Sequence, residues 1–345
     1  MRKKDNKIKY LIRNVGMMGI VFVVFFALGS VLAGFTHESP IQDQEGEETF
    51  TTIKDGKRTN ILILGVDARP GDEHARSDTM ILASIDPKLD KVVLISIPRD
   101  TRVKVEGTSL DKICAANFVG GPEYAMEAVA GFLQTEIDYF VEMDFNGFKD
   151  IIDTLGGVTI NVPQRMYKPE EDIDLYPGEK RLNGREALAF VRYRDYSLGD
   201  IQRTSQQQEF LKALAKEVLQ PRTLTKLPKL VDQVSDYVTT NLKLGDMLKM
   251  ASWAPGFDAD SIITQTLPGY FYEVYDDDGF LMESYWVADG NKFPDMLEKL
   301  FAGESLVVFL ESPYPQYTPP AKTDQQVNEE RSKLPSPGHE EPTPN

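Results

Sequence analysis

From Val15 to Phe35 the chain carries no charged residue, and this run of 21 residues limits what the rest can be. As a helix it extends about 31 Å at 1.5 Å per residue, enough to cross the hydrocarbon layer of a bilayer. Residues 1–14 supply Arg2, Lys3, Lys4, Lys7, Lys9 and Arg13 against Asp5 alone, and the far flank is acidic. That asymmetry orients the N-terminus toward the cytoplasm. Val31-Leu32-Ala33 loosely resembles a leader-cleavage site, but the apolar run is long for a removable leader, so an uncleaved single-pass anchor over 15–35 is expected. The remainder of the chain is then expected outside the cell membrane.

Of the formal charge of −16, the basic head contributes +5 and the remainder −21, which argues against nucleic acid as a partner. A local basic pocket inside an acidic shell is compatible with it. With Cys114 the only cysteine, no internal disulfide can form, and this residue reads as a small buried apolar side chain. Residues 36–58 are polar and acidic, as a tether would be. Residues 311–345, rich in Pro, Glu, Gln, Lys and Ser, bury too little apolar surface to offset ordering and are expected to be disordered. One globular domain is expected over 59–310.

Within it, Ile61–Val66, Thr79–Ile85 and Val92–Ile97 are short continuous apolar runs, the pattern of strands covered on both faces. The turn Asp86-Pro87-Lys88-Leu89-Asp90 makes the last two an antiparallel pair. Helices are predicted over Pro122–Leu133, Asn146–Leu155, Arg185–Val191 and Arg203–Leu219, and further strands over Tyr139–Met143 and Val158–Val162. Strands alternating with helices predict an α/β domain, with a mixed central sheet and helices on both faces. The helix from Arg203 carries an apolar stripe of Phe210, Leu211, Leu214 and Val218. Arg203 and Gln207 fall in line with Leu211, so its first turns aim polar groups inward.

Polar residues concentrate where these strands end. Asp67 follows the first strand, Arg76 and Asp78 precede or begin the second, and Arg99 and Asp100 follow the third. Strands running up, down and up bring all five to one edge of the sheet. Arg192 and Arg194 share a face only if the backbone between them is extended. Asp200, Arg203 and Gln207 come soon after. Several arginines with several aspartates, and no His–Ser or His–Cys pairing, suit phosphate oxygens and a Mg²⁺ ion held against them, the equipment of phosphoryl transfer. Arg and Asp at strand ends also form ordinary surface ion pairs, and spacing alone leaves the two alternatives even.

Leu64-Gly65-Val66-Asp67-Ala68-Arg69, Arg76-Ser77-Asp78-Thr79-Met80 and Ser96-Ile97-Pro98-Arg99-Asp100-Thr101 resemble three successive blocks of the LytR-CpsA-Psr (LCP) family. Leu155-Gly156-Gly157-Val158, Leu182-Asn183-Gly184 with Ala187-Leu188, Val191-Arg192-Tyr193-Arg194 and Asp200 through Gln208 resemble further blocks in the same order, over 61–220. Thr266-Leu267-Pro268-Gly269 and Tyr285-Trp286-Val287 resemble a later segment more weakly. The resemblance implies a cytoplasmic stub, one membrane helix and an external α/β domain. It also implies binding of a polyprenyl-pyrophosphate-linked glycan, with its lipid tail in an apolar channel, and transfer of a phosphoglycan such as wall teichoic acid or capsule to peptidoglycan. By position, Asp67 and Asp78 match Mg²⁺ ligands. Arg76, Arg99, Lys112, Arg192, Arg194, Arg203 and Gln207 match groups around the pyrophosphate. Gln202 and Gln206 stand where the last block usually has Gly and Arg, so one positive charge is missing, while Arg203 and Gln207 are retained.

The expected activity is therefore a phosphotransfer in which Arg99, Asp100, Arg192, Arg194 and Asp200 form the catalytic group, Asp100 and Asp200 being the possible general bases. A non-catalytic lipid or glycan receptor that regulates envelope functions is the alternative of a different class, although a 14-residue stub is too short for a DNA-binding domain. A polyprenyl-pyrophosphate hydrolase needs the same residues. Asp276-Asp277-Asp278-Gly279 lacks the alternating spacing of a calcium loop and reads as a turn. Tyr270-Phe271-Tyr272 and Tyr275 could touch sugars, but half-buried strand residues explain them equally well.

Overall fold

The structure, a computed structural model, describes Ile53 and residues 56–67, 74–196, 199–218, 238–253 and 261–314. The expected membrane span 15–35, most of the tether and the tail from 315 onward lie outside the described residues. Among those described, no helix is long and apolar enough to cross a membrane.

Six strands form the central sheet in the order β10-β3-β2-β1-β4-β9. They are β1 (Thr59–Val66), β2 (Ser77–Asp86), β3 (Lys91–Ser96), β4 (Tyr139–Asp144), β9 (Val238–Thr240) and β10 (Ile262–Thr266). β2 is antiparallel to both β1 and β3, while β4 runs parallel to β1 and β10 parallel to β3. The sheet is mixed, as the run pattern predicts. It also brings the C-terminal ends of β1, β3, β4 and β10 to the same edge as the N-terminal end of β2.

Because side chains alternate along a strand, each strand feeds two cores. Leu62, Leu64, Met80, Leu82, Val93 and Ile95 pack under α1 (Ala115–Leu133) and α6 (Phe293–Phe301). Ile61, Ile81, Ala83, Val92 and Leu94 face α2 (Phe145–Leu155), α3 (Gly184–Arg192), α4 (Gly199–Val218) and α5 (Leu244–Trp253). Helices therefore cover both faces, as expected.

Local sequence fixes the element ends. The Asp144 carboxylate accepts from Gly147 N at 2.7 Å to cap α2, and Gly156 closes that helix at φ 84°. Asn183 and Glu186 form a reciprocal capping box on α3. α1 begins seven residues before the predicted start and is kinked: Gly121 sits at φ 75° immediately before Pro122, whose ring disfavours helical geometry in the residue before it. α4 starts four residues earlier than predicted.

β5 (Val158–Val162) is a strand, but it leaves the central sheet to pair antiparallel with β8 (Gly178–Leu182). β6 (Met166–Lys168) with β7 (Ile173–Leu175), and β11 (Tyr270–Tyr275) with β12 (Leu281–Val287), form two further antiparallel ribbons. The acidic run from Asp276 is the turn of the second ribbon, where Asp276 Oδ1 accepts from Asp278 N and Phe280 N.

Candidate functional site

Asp78, in the first turn-out of β2, is the hub of the sheet edge. Arg99, just beyond β3, donates from Nη1 to Asp78 Oδ1 at 2.5 Å, and Arg194 approaches the same oxygen with Nη2 at 3.4 Å. Arg203 donates from Nη2 to the Asp78 main-chain carbonyl at 3.1 Å. Three arginines from three separate stretches of chain thus converge on one residue. The up–down–up strand order brings Arg99 there, and the inward turn of α4 brings Arg203, which is only 2% exposed.

Gln207, one turn on from Arg203, donates to Thr79 Oγ1 at 3.2 Å and to the Val191 carbonyl at 3.1 Å. It thereby ties α4 to both β2 and the end of α3. Arg192 is the last residue of α3. Tyr193 is extended at φ −59°, ψ 134°, so the helix stops and Arg194 is carried to Asp78. The Arg192 guanidinium lies 5.2 Å from the Phe145 ring centroid.

Asp100 forms the second node. Lys112 Nζ contacts its Oδ1 at 3.2 Å, and Arg99 Nε lies 3.6 Å from its Oδ2. Lys112 also meets Glu283 at 3.2 Å. Burial disfavours the Lys112 charge, but the Asp100 and Glu283 carboxylates outweigh it and hold its pKa above the ordinary lysine value. Cys114 lies beneath this layer. Its own burial, with Asp100 adding and the Arg99 and Arg76 guanidiniums opposing, pushes the thiol up to about 11. It is a buried, unreactive side chain, as its setting among small residues suggests.

Asp67 and Arg76 are exposed at the adjoining ends of β1 and β2, where Val66 pairs with Ser77. Asp200 falls in the first turn of α4, and its side chain lies outside the described residues. Asp78, Arg99, Arg194, Arg203, Gln207, Asp100 and Lys112 are therefore assembled into one cluster. Arg192 borders it, and Asp67 and Arg76 lie at its exposed rim.

Sequence reasoning missed several polar partners. Gln208 donates to Ser96 Oγ at 2.9 Å and Thr266 Oγ1 at 3.2 Å, and Thr204 Oγ1 meets Thr266 Oγ1 at 3.2 Å. This buried network fastens α4 to the ends of β3 and β10. The available signal was Gln208 standing beside an inward-facing Gln207. Glu171 was also missed: its hydrogen bond to Lys168, aided by the charges of Lys168, Arg192 and Arg194, holds its carboxyl below the usual range.

Behind the cluster, between the sheet and α2, α3 and α4, is an apolar cavity of about 140 Å³. Ile63, Ile81, Phe148, Leu155, Phe210 and Leu214 are among its walls, and Thr79 and Gln207 also line it. Those last two residues bond to each other beside Asp78, so the arginine cluster stands at the polar limit of an otherwise hydrocarbon-lined space. An apolar cavity and an arginine cluster are thus contiguous.

The LytR_cpsA_psr family profile matches residues 24–302. The chain is 36% identical over 224 residues to the polyisoprenyl-teichoic acid–peptidoglycan teichoic acid transferase TagV of Bacillus subtilis, covering 62% of this chain and 57% of TagV. It is 33% identical over 265 residues to TagU of Oceanobacillus iheyensis, a transferase of the same name, covering 73% and 80%. The crystal structure of B. subtilis TagV superposes with a TM-score of 0.60 at 31% identity, covering 73% of this chain and all of that one. A structure of TagT bound to LI-WTA superposes with a TM-score of 0.57 at 26% identity, covering 74% and 96%.

Proposed function

The chain belongs to the LytR-CpsA-Psr family, and from that premise we propose that it transfers a phosphate-linked glycopolymer from a polyprenyl-pyrophosphate carrier to peptidoglycan. The observation that carries this is the junction at Thr79 and Gln207, where an apolar cavity meets three arginines. A molecule with a hydrocarbon tail and a pyrophosphate head matches both sides of that junction. Wall teichoic acid is the cargo named in the relatives TagV and TagU. A single-pass anchor over 15–35 with the domain outside, as the apolar run predicts, would put the site where lipid carrier and wall meet.

In this scheme the acceptor sugar hydroxyl forms a P–O bond to the phosphorus that bears the glycan. The bond from that phosphorus to the bridging oxygen breaks, and polyprenyl monophosphate leaves. Arg99, Arg194 and Arg203 hold the pyrophosphate oxygens and neutralise the charge that builds on the bridging oxygen. Arg76, Arg192 and Lys112 add positive charge at the rim, and Gln207 positions the head at the cavity mouth. Asp100, braced by Lys112 and Arg99, takes the hydroxyl proton, with Asp200 as the second possible base.

Asp67 and Asp78 are the residues that would hold Mg²⁺. They stand at the adjoining ends of β1 and β2, and a pair of carboxylates suits an ion that completes its shell with substrate phosphates and water. When bound, Mg²⁺ supplies further charge neutralisation to the pyrophosphate.

The test is transfer by the full chain in detergent, with a labelled carrier-linked glycan, peptidoglycan fragments and Mg²⁺, beside Asp78→Ala. Label appearing on peptidoglycan with the intact protein alone establishes the transferase. Free phosphorylated glycan identifies a hydrolase, and saturable binding with neither product identifies a receptor.

A further inference from the structure

The β11–β12 ribbon has two unlike sides. On one, Phe271, Trp286 and Phe309 pack edge to face at 5.2 and 5.8 Å, and Trp286 is fully buried. On that side Trp286 anchors the ribbon to the domain, donating from Nε1 to the Leu267 carbonyl at 3.0 Å, while Phe271 and Phe309 keep exposed edges. On the other, Tyr272 and Tyr285 are cross-strand partners with rings stacked at 6.4 Å and 29°. Tyr314 extends the row, 5.1 Å from Tyr272 and 6.4 Å from Tyr270. Of this row Tyr285 is buried and serves the core, whereas Tyr272 is half-buried and Tyr314 exposed, leaving aromatic surface that the anchoring of the ribbon does not need.

The tyrosine row is joined directly to the catalytic edge. Trp286 N donates to the Asp100 carbonyl at 2.9 Å and Arg102 N to the Trp286 carbonyl at 2.8 Å, so β12 is hydrogen-bonded to the segment that carries Arg99 and Asp100. The Arg102 guanidinium lies 4.8 Å from the Tyr285 ring and 5.4 Å from Tyr272, and Lys112 Nζ lies 5.3 Å from Tyr285 while contacting Asp100. Starting from Asp100, the surface runs through Lys112 and over the buried Tyr285 to Tyr272 and then Tyr314, which is 54% exposed. Glu283, Arg102 and Asp111 border it with donors and acceptors.

Phosphoryl transfer sets attacking and leaving oxygens roughly in line. With the prenyl tail in the cavity, the leaving phosphate lies on the Thr79–Gln207 side, and the nucleophile must arrive from the opposite side. None of the ribbon residues lines the cavity; they stand on the Asp100–Lys112 side. We propose that the tyrosine face of β11–β12 binds the acceptor glycan strand, stacking sugar rings on Tyr272 and Tyr314 and meeting their polar substituents with Arg102 and Glu283. Pyranose rings present C–H faces to aromatic planes and hydroxyl or acetamido groups at their edges, the combination this surface accommodates. The proposal rests on the transferase function above and names the site of its second substrate.

The decisive variant is Tyr272→Ala with Tyr314→Ala in the full chain in detergent, beside Tyr314→Ala alone in case the double variant folds poorly. The probe is a soluble oligosaccharide of alternating N-acetylglucosamine and N-acetylmuramic acid, freed of peptides. The acceptor KM is expected to rise about tenfold while kcat and carrier KM hold, and Tyr272→Phe should restore it. Calorimetric binding of the same oligosaccharide should weaken in parallel. An unchanged acceptor KM, or an equal loss of carrier binding, overturns the proposal. If the parent protein transfers nothing, the transferase function fails instead, and calorimetry still decides the platform: binding weakened by the variants supports it, and binding unaffected by them or absent in the parent overturns it.

Discussion

The two faces of the central sheet are built from the same strands and nearly the same residue types, yet they end in different states. On the face covered by α1 and α6, Leu62, Leu64, Leu82, Val129 and Leu133 are fully buried and close the core. On the face covered by α2, α3 and α4, Ile63, Phe148 and Leu211 stay partly exposed around a cavity of about 140 Å³. Native interiors are packed to crystal-like density, so a hydrocarbon-lined void of that size forfeits contact energy. Both faces therefore hold the domain together, and the second also keeps room beside the arginine cluster. Substitutions around that room should change activity more than stability, and those on the closed face the reverse.

The largest separation is expected at the polar end of the open face. Arg99→Ala removes a donor aimed at the developing charge and should lower transfer about 10³-fold, the upper end for loss of one such group. Because Arg99 is partly exposed and Asp78 retains Arg194, thermal stability should stay near that of the parent. A variant that keeps full transfer, or one that unfolds, breaks the division of labour. Removal of Mg²⁺ by a chelator should also stop transfer while leaving the melting curve nearly unchanged.

Next comes a matched pair in the two cores. Leu133, the fully buried last residue of α1, should cost about 2–5 kcal/mol on truncation to Ala. Leu214 lines the cavity and already lacks partners on one side, so Leu214→Ala should cost roughly half as much. Denaturant midpoints with matching slopes measure both. Equal losses would mean that the open face is not loosely packed.

This contrast also marks the limit of what the sequence discloses. Asp67, Asp78 and Arg99 could be placed on one edge because strand ends and a tight turn fix direction. Arg203 and Gln207 were legible as inward-facing because helical spacing aligned them with Leu211. The departure of β5 from the central sheet was not legible, since Val158–Val162 alternates as well in a small ribbon as in a large sheet. Nor was the pairing of β10 with β3, which depends on a contact across more than 160 residues of chain. The cavity was hidden for a plainer reason: Ile, Leu and Phe spell a channel wall and a solid core in the same letters.

Filling the void sharpens the comparison further. Val191→Phe at the cavity wall should raise the KM for long-chain prenyl carriers about tenfold, spare short-chain ones, and leave stability unchanged or slightly higher. A comparable enlargement on the buried side of α1, Ala125→Val, should instead destabilise by about 1–3 kcal/mol. A uniform effect on carriers of every length would place the tail elsewhere.

The smallest expected effect comes from the closed face and is a pH effect. Glu142 on β4 accepts a hydrogen bond from Asn117 of α1 at 2.7 Å. Burial raises its pKa above the model-compound 4.5, against the opposing pull of Asn117 and His74. A carboxyl raised on folding binds its proton more tightly in the native state. Its favourable contribution is complete below pH 4.5 and is lost as pH climbs through the folded pKa. Ionised Glu142 is therefore a small burden at neutral pH, and Glu142→Gln should flatten the decline in Tm above that range by on the order of a degree. The substitution leaves the arginine cluster and the cavity alone, so transfer should not change. If transfer fell while Tm held, Glu142 would belong with the chemistry, and the closed face would have a functional part after all.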